Sequence, residues 1–264
     1  MVRTQVIGGG KMGEALVVGL VRSGWAQPGE LCVVEVSDER RKELLDRHED
    51  LDVVDRPVAA HGTVIAVKPT HALDAVRAAV DAGSERILSV AAGVTLTAME
   101  TAAGPAAAVP VIRAMPNTPA LIGQGAAAIA PGSHAGADDM DWAASLLSSV
   151  GVVVRTDEAH LDTVTGLSGS GPAYVFLVAE ALIEAGVLAG LPRETSEQLT
   201  IQTLLGSASL LAESDDGPEA LRAAVTSPGG TTAAGLKSLE DSGVRSALMN
   251  AVLAAADRSR ELGS

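Results

Sequence analysis

Gly8-Gly9-Gly10-Lys11-Met12-Gly13 is a G-x-G-x-x-G run that follows a strand-like segment and opens a helix-like one. That spacing suits a pyrophosphate. Gly8 would make the tight turn, Gly10 would let backbone approach the phosphates, and Gly13 would let the helix pack on the sheet while its N-terminal amides face the anion. A dinucleotide site, NAD(P) or FAD, is expected. Glu35 ends the second strand-like run, 22 residues beyond Gly13. An acidic side chain there accepts hydrogen bonds from the adenosine ribose and repels a 2′-phosphate, which favours NAD(H). Arg40 and Arg41 follow within reach of a 2′-phosphate, so NADPH stays open, although by themselves they read as a solvated helix face.

Further along, Ala66-Val67-Lys68-Pro69 puts one of only four lysines at the end of the third long strand, beside the expected cofactor. Ser89-Val90-Ala91-Ala92-Gly93 ends the next, where small residues leave room for a nicotinamide ring. Arg113 and Asn117 follow the fifth, to orient substrate or to seal a turn. Two later segments, Ser168-Gly169-Ser170-Gly171-Pro172 and Thr226-Ser227-Pro228-Gly229-Gly230-Thr231-Thr232, each combine hydroxyls with glycine-exposed amides before a helix. Such a helix start grips a carboxylate without a basic side chain, and simple N-capping leaves the paired glycines unexplained.

Elements to hold these residues are legible in the apolar periodicity. β-branched runs at 3–7, 31–36, 63–67, 86–90, 109–113, 126–130 and 152–155 alternate with helical patterns at 11–22, 39–47, 73–82 and 96–101. Strands apolar throughout and separated by helices predict a doubly wound parallel α/β sheet. After about residue 160 only helices are expected, at 174–189, 193–213, 219–224, 232–239 and 244–262. Pro172, Pro192 and Pro218 each stand before one of them. The expected domains are 1–158, binding the dinucleotide, and 159–264, all helical. The long helices of the second carry apolar residues on more than one face, which predicts burial against another copy.

Composition narrows the chemistry further. A formal net charge of −14 with four aromatic residues disfavours nucleic-acid partners, which need cations and stacking rings. Lone Cys32 cannot form an internal disulfide, and a reducing cytoplasm is expected. The longest uncharged stretch, 114–137, is broken by three prolines and four glycines, so no membrane span is expected, and with no leader the mature chain is expected to start near Met1. Five scattered histidines and one thiol offer no zinc set. The Gly-Leu-Ser-Gly-Ser run at 166–170 lacks the closing glycine of a hydrolase elbow. Glu213, Asp215 and Asp216 read as a solvated turn close in sequence to the second hydroxyl-rich loop.

Together, the glycine turn, Ala66-Val67-Lys68-Pro69, Ala91-Ala92-Gly93, Arg113-Ala114-Met115-Pro116-Asn117, Gly169-Ser170-Gly171-Pro172-Ala173-Tyr174 and Ser227-Pro228-Gly229-Gly230-Thr231-Thr232 resemble, in that order, the pyrroline-5-carboxylate reductases. The resemblance extends to Arg258 and Glu261. It implies reduction of 1-pyrroline-5-carboxylate to L-proline by NADPH or NADH, and a Rossmann domain followed by a helical domain that interlocks in a homodimer, often assembled into a homodecamer. By motif it implies cofactor contacts at Gly8, Gly10, Lys11, Met12, Val67, Lys68, Ala91 and Ala92. It also implies substrate contacts at Thr231 and Thr232, with Asp215 near the substrate. Where many relatives carry a Ser/Asn-Arg pair for the 2′-phosphate, this chain has Glu35-Val36, which unsettles the usual NADPH preference.

A cyclic imine with a neighbouring carboxylate accepts hydride most readily when its nitrogen is protonated. The enzyme must hold the nicotinamide carbon about 3–3.5 Å from the C=N carbon and fix the carboxylate. Amides at Gly229, Gly230 and Thr231, with the Ser170-Gly171 turn, are assigned to binding, and Thr232 to a hydrogen bond with the nitrogen. No conventional acid is visible, so positioning and cofactor chemistry carry the reaction. The alternatives are a different reductase on the same plan, acting on another small imine or on a β-hydroxyacid, for which last only Lys237 is available as the helical half's lysine acid, and a non-catalytic NAD(P) sensor, which would not need the Ser227–Thr232 loop.

Overall fold

The computed structural model describes residues 2–104 and 108–263. Met1, the expected start of the mature chain, lies outside them. The chain packs as two compact units, one running through Ser170 and taking in the segment from Leu253 onward, the other Gly171–Val252.

Among the described residues, eight strands form one sheet in the first unit. They are β1 (Val2–Ile7), β2 (Leu31–Val34), β3 (Asp52–Val54), β4 (Ala60–Ile65), β5 (Ile87–Ser89), β6 (Val111–Met115), β7 (Gly125–Pro131) and β8 (Gly151–Arg155), in the order β3-β2-β1-β4-β5-β6-β7-β8. The helices are α1 (Lys11–Arg22), α2 (Asp38–Arg47), α3 (Pro69–Asp81), α4 (Leu96–Ala103), α5 (Ala137–Leu147) and the single turn α6 (Leu161–Val164). Strand residues alternate between two apolar faces. Val6, Val33 and Val64 pack with Leu16 and Leu20 of α1, Leu44 of α2 and Leu146 of α5. Their neighbours Ile7, Val34 and Ile65 pack with Val76 of α3, Met99 of α4 and Leu161 of α6. Burial on both faces is why the strands read as unbroken apolar runs.

Three features depart from the sequence reading. β7 runs antiparallel to β6. The connection between them holds only a 3₁₀ turn, Thr118–Ile122, too short for the crossover a parallel neighbour needs. β3 has three residues, too few for a visible period. α5 is absent from the expected set because Asp138, Asp139 and Asp141 mask its buried stripe of Met140, Ala143, Leu146 and Leu147.

The packing division also falls later than the expected boundary at 158/159. α6 buries Leu161 in the sheet's core, and a π-turn at Thr165–Gly169 continues it, with the Ser170 amide donating to Thr165 O at 2.8 Å. The last turns of the C-terminal helix return to this unit, where Ser259 Oγ donates to Asp162 at 2.6 Å.

In the second unit α7 (Gly171–Leu188) and α8 (Arg193–Glu213) form an antiparallel hairpin, followed by α9 (Pro218–Ala224), α10 (Thr231–Asp241) and α11 (Val244–Gly263), which ends in the first unit. α7 and α8 approach closely: Ser196 Oγ donates to Ile183 O at 2.8 Å, and a Cβ at Gly186 would collide with that hydroxyl. Large apolar side chains on the other faces are open, among them Phe176, Leu177, Leu199, Ile201 and Leu205. The helical run Glu158–Leu188 even has the length and mean hydropathy, 1.5, of a membrane-crossing helix, with none of its apolar window buried. Gly171-Pro172 reads as a break in the sequence, which hides this run; the π-turn carries the helix up to it.

Lone Cys32 sits inside β2, where burial, with Asp52 adding to it, pushes the thiol up to about 11. That fits an inert core residue.

Arg113 of β6, its side chain only 7% exposed, pairs with Glu158 at 2.8 Å, and the same carboxylate oxygen accepts the Leu96 amide at 2.7 Å. Glu158→Ala strands a buried guanidinium and a helix-start amide. It should lower stability by about 3 kcal/mol, read as a shift of the urea midpoint, and Glu158→Gln by less.

Candidate active site

Where β1 ends, the strand order reverses, with β2 on one side and β4 on the other. A crevice at this switch point is where open α/β sheets bind ligands. Gly8 adopts φ +110°, and its amide donates to Val34 O at 2.8 Å. A Cβ on Gly8 would stand 2.6 Å from Ala66 O, and one on Gly13 would strike Gly8 O. Both positions are closed to any side chain. Gly10 is the opposite: it is exposed, and a Cβ there would meet nothing within 4 Å. Gly10 also caps α1 without any side-chain acceptor. The amides of Lys11, Met12 and Gly13 therefore have no intrahelical partner, and a diphosphate fits the cradle they form.

The loop after β2 is tied to this turn. Glu35 accepts the Gly9 amide at 3.0 Å through one oxygen and the Ser37 amide at 2.9 Å through the other. Arg40 donates to Gly9 O at 2.7 Å and to Glu14 at 2.6 Å, while Arg41 donates to Glu35 O at 2.7 Å and pairs with Asp38.

Beyond β4, Val67 is half-buried and Lys68 is exposed just before Pro69, the first residue of α3. Beyond β5, Ala91 is buried, its amide held by Ser89 Oγ at 3.3 Å, and Ala92 is exposed. Ala92 and Ser170 line one cleft of about 600 Å³ together with Pro69, Thr70, Thr165 and Arg258. The sheet edge thus brings together the turns after β4 and β5 and Ser170. Thr70, Thr165 and Arg258 join it through long-range packing with no local signal, Arg258 having only its place near the end of the resemblance. A second cavity, about 440 Å³, lies among Val17, Val21, Arg47 and His48 and contains none of the expected site residues.

Several expectations change. Ser168–Pro172 is not a loop before a helix: it is the exit of the π-turn, so Ser170 has its amide engaged and Gly171 is the first residue of α7. Gly169 is explained by packing, since a Cβ there would come within 2.7 Å of Met115. Asn117 seals structure as well, donating to Ser168 O at 3.0 Å and accepting the Ala126 amide at 2.8 Å. Arg113 is committed to Glu158.

In the second unit, Ser227–Gly230 closes a turn through the Gly230 amide and Ser227 O at 3.0 Å, with Gly229 at φ +69°. α10 then begins at Thr231 with Gly230 as N-cap, no side-chain cap and no acidic residue in its first turn. The threonines do not cap the helix, and both are exposed. The amides of Thr231, Thr232 and Ala233 have no intrahelical acceptor and no side-chain cap, which suits an anion. Asp215 is exposed in the turn between α8 and α9, where the Asp216 amide donates to Ser214 Oγ at 3.0 Å.

A glycine cradle at the switch point of a doubly wound sheet, followed by a helical domain, defines a nicotinamide-dinucleotide-dependent oxidoreductase. Residues 158–262 match the family described as pyrroline-5-carboxylate reductase dimerisation, and residues 3–93 match the one described as NADP oxidoreductase, coenzyme F420-dependent. The pyrroline-5-carboxylate reductase of Corynebacterium melassecola is 43% identical, with 100% of this chain and 99% of that protein covered. The structure of such a reductase from Coxiella burnetii superposes with TM-score 0.93 at 35% identity, covering 100% and 99% of the two chains. That of Plasmodium falciparum pyrroline carboxylate reductase with NADP bound gives 0.85 at 30%, covering 100% and 98%. The chain belongs to the pyrroline-5-carboxylate reductase family. Its helical half is accordingly an oligomerisation domain, which accounts for the open apolar faces of α7 and α8.

Behind the cradle, Glu14 pairs with Arg40 and Arg47 at 2.6 and 3.2 Å and hydrogen-bonds the His48 ring at 3.2 Å. Burial alone would raise its carboxyl, but those hydrogen bonds hold it below the ordinary glutamate value. A lowered folded-state value means that this stabilisation is complete above the unfolded value of about 4.3 and fades as pH falls through the folded one. Denaturant midpoints should drop between pH 6 and pH 3, and Glu14→Gln should flatten that drop.

Proposed function

We propose that this chain reduces 1-pyrroline-5-carboxylate to L-proline with NAD(P)H. The observation that carries the reading is the start of α10, where a glycine turn presents unsatisfied amides and two threonine hydroxyls with no cap and no acidic competitor. A small cyclic imine bearing a carboxylate needs that combination, and a dinucleotide sensor has no use for it.

The cradle of Gly8, Gly10, Lys11, Met12 and Gly13 holds the diphosphate, Glu35 the adenosine ribose, and Val67, Lys68, Ala91 and Ala92 the remainder of the dinucleotide, which when bound supplies a hydride. At the start of α10 the amides of Thr231 and Thr232 take the substrate carboxylate and Gly229 shapes the turn, whereas the Gly230 amide, expected to bind it as well, is already given to Ser227 O; Ser170, Gly171 and Asp215 are the other residues assigned to the substrate. Thr232 accepts a hydrogen bond from the protonated ring nitrogen through its hydroxyl oxygen and keeps that proton in place. Positioning and the chemistry of the cofactor carry the rate. Function divides at 158/159, with nucleotide binding before it and substrate binding and pairing after it; the match of residues 158–262 to the dimerisation family supports this division.

The partners are the substrate and copies of the chain, in a homodimer or a homodecamer, rather than nucleic acid or membrane. The net charge of −14 supports the first exclusion, and apolar helix faces within a dimerisation domain support self-pairing over lipid. A lone buried thiol fits the cytoplasm.

Loss of absorbance at 340 nm on adding pyrroline-5-carboxylate to enzyme with NADH or NADPH tests the reading, and no oxidation of either sinks it. Thr232→Ala should lower kcat about 10- to 100-fold, the value of one transition-state hydrogen bond, and unchanged turnover removes Thr232 from the mechanism. Light scattering at micromolar concentration should return a multiple of the chain mass; the mass of one chain refutes pairing.

A further inference from the structure

The loop between β2 and α2 bears on a choice that the reductase reading leaves open, that between two coenzymes differing only in a 2′-phosphate. We infer that this chain selects NADH over NADPH, with Glu35 as the discriminating residue. The inference rests on the reading of the chain as an NAD(P)H reductase and extends it.

Glu35 is not a side chain that can swing aside. Each of its oxygens accepts a backbone amide, Gly9 at 3.0 Å and Ser37 at 2.9 Å, and the Gly9 amide belongs to the buried part of the phosphate-binding turn itself. Moving the carboxylate to admit a phosphate would leave the buried Gly9 amide without an acceptor and would surrender the Ser37 amide to water. Each oxygen keeps a second lone pair, which can accept a ribose hydroxyl. A sugar diol therefore finds an acceptor at Glu35, and a phosphate finds a fixed negative charge.

The nearby cations do not offset that charge. Arg40 has all three guanidinium nitrogens engaged, with Gly9 O at 2.7 Å, Glu14 at 2.6 Å and Glu43 at 2.7 Å. Its role is to tie the glycine turn to α2. Arg41 is held by Glu35 O at 2.7 Å and by Asp38. Lys42 follows Arg40 by two positions and so lies on the opposite side of α2. Val36 takes the position directly after Glu35, 83% exposed, and offers a phosphate nothing. Arg40 is paired with Glu14 and Glu43 and Arg41 with Asp38, so both guanidinium charges are already matched by carboxylates other than Glu35.

Calorimetric titration of the full-length, assembled enzyme with NADH and with NADPH tests this without turnover. Adenosine 5′-monophosphate and adenosine 2′,5′-bisphosphate serve as probes of the adenosine end alone. NADH should bind at least roughly tenfold tighter than NADPH, and the monophosphate tighter than the bisphosphate, the differences shrinking as salt is raised. Glu35→Ser combined with Val36→Arg should reverse the order. Glu35→Gln keeps the shape and removes the charge, so it should narrow the preference, with circular dichroism confirming a folded variant. Equal or tighter binding of NADPH by the unaltered protein overturns the inference and leaves the reductase reading standing. Binding of neither dinucleotide overturns both. A preference for NADH that survives in folded Glu35→Gln and in the double variant overturns the role of Glu35.

Discussion

At the switch point of the sheet three pieces of backbone meet with no side chain between them. Gly8 lies against the carbonyl of Ala66 at the end of β4, and Gly13 of α1 lies against the carbonyl of Gly8. Everything at the carboxyl edge takes its position from this contact. It sets the entry angle of α1, so that Ala15, Leu16 and Leu20 face the sheet and the first-turn amides face outward. It holds the turn close enough to β2 for Glu35 and Arg40 to bond Gly9 from two directions, one accepting its amide and one donating to its carbonyl. Such a site cannot be retuned by moving the turn; specificity has to come from the side chains around it.

The fold was legible in the sequence wherever burial is two-sided or amphipathic. Strands sandwiched between helices show as unbroken β-branched runs, and α1, α8 and the C-terminal helix begin where the periodicity says they do. It was illegible where the signal is a property of the partner strand or of a connection. The direction of β7 depends on how few residues separate it from β6, and the three residues of β3 take their strand character from pairing with β2. The π-turn at Thr165–Gly169 defeats a local reading because Gly169, Gly171 and Pro172 have the composition of a loop, yet the tertiary contact with Met115 explains why a glycine is needed.

For the candidate site, the glycine cradle and the strand-end turns could be read from spacing, since their chemistry is local and depends on backbone. Arg113 and Asn117 could not be separated from site residues by type alone. Their partners, Glu158 and the Ser168 carbonyl, lie 45 and 51 positions away, and only the fold shows that both residues are fully employed in fastening the 158–170 segment to the sheet. The same holds for the buried cluster of Gln5, Val58, Thr63 and Ser84, which ties β1 and β4 by hydrogen bonds spanning 53 to 79 positions. Long-range polar pairing leaves no period in a sequence.

The start of α10 has a consequence for dynamics. A helix normally spends a serine, threonine or aspartate on its own first turn, and replacing such a cap typically costs about 1 kcal/mol. Here Gly230 forgoes it and Gly229 holds a left-handed backbone, so the turn is completed only by an acceptor from outside the chain. Water serves when nothing else is present, and a bound carboxylate serves better. On the proposed function, the segment is a small folding reaction left unfinished, whose last step is occupancy, and its fraying should track the supply of ligand more than the stability of the domain around it.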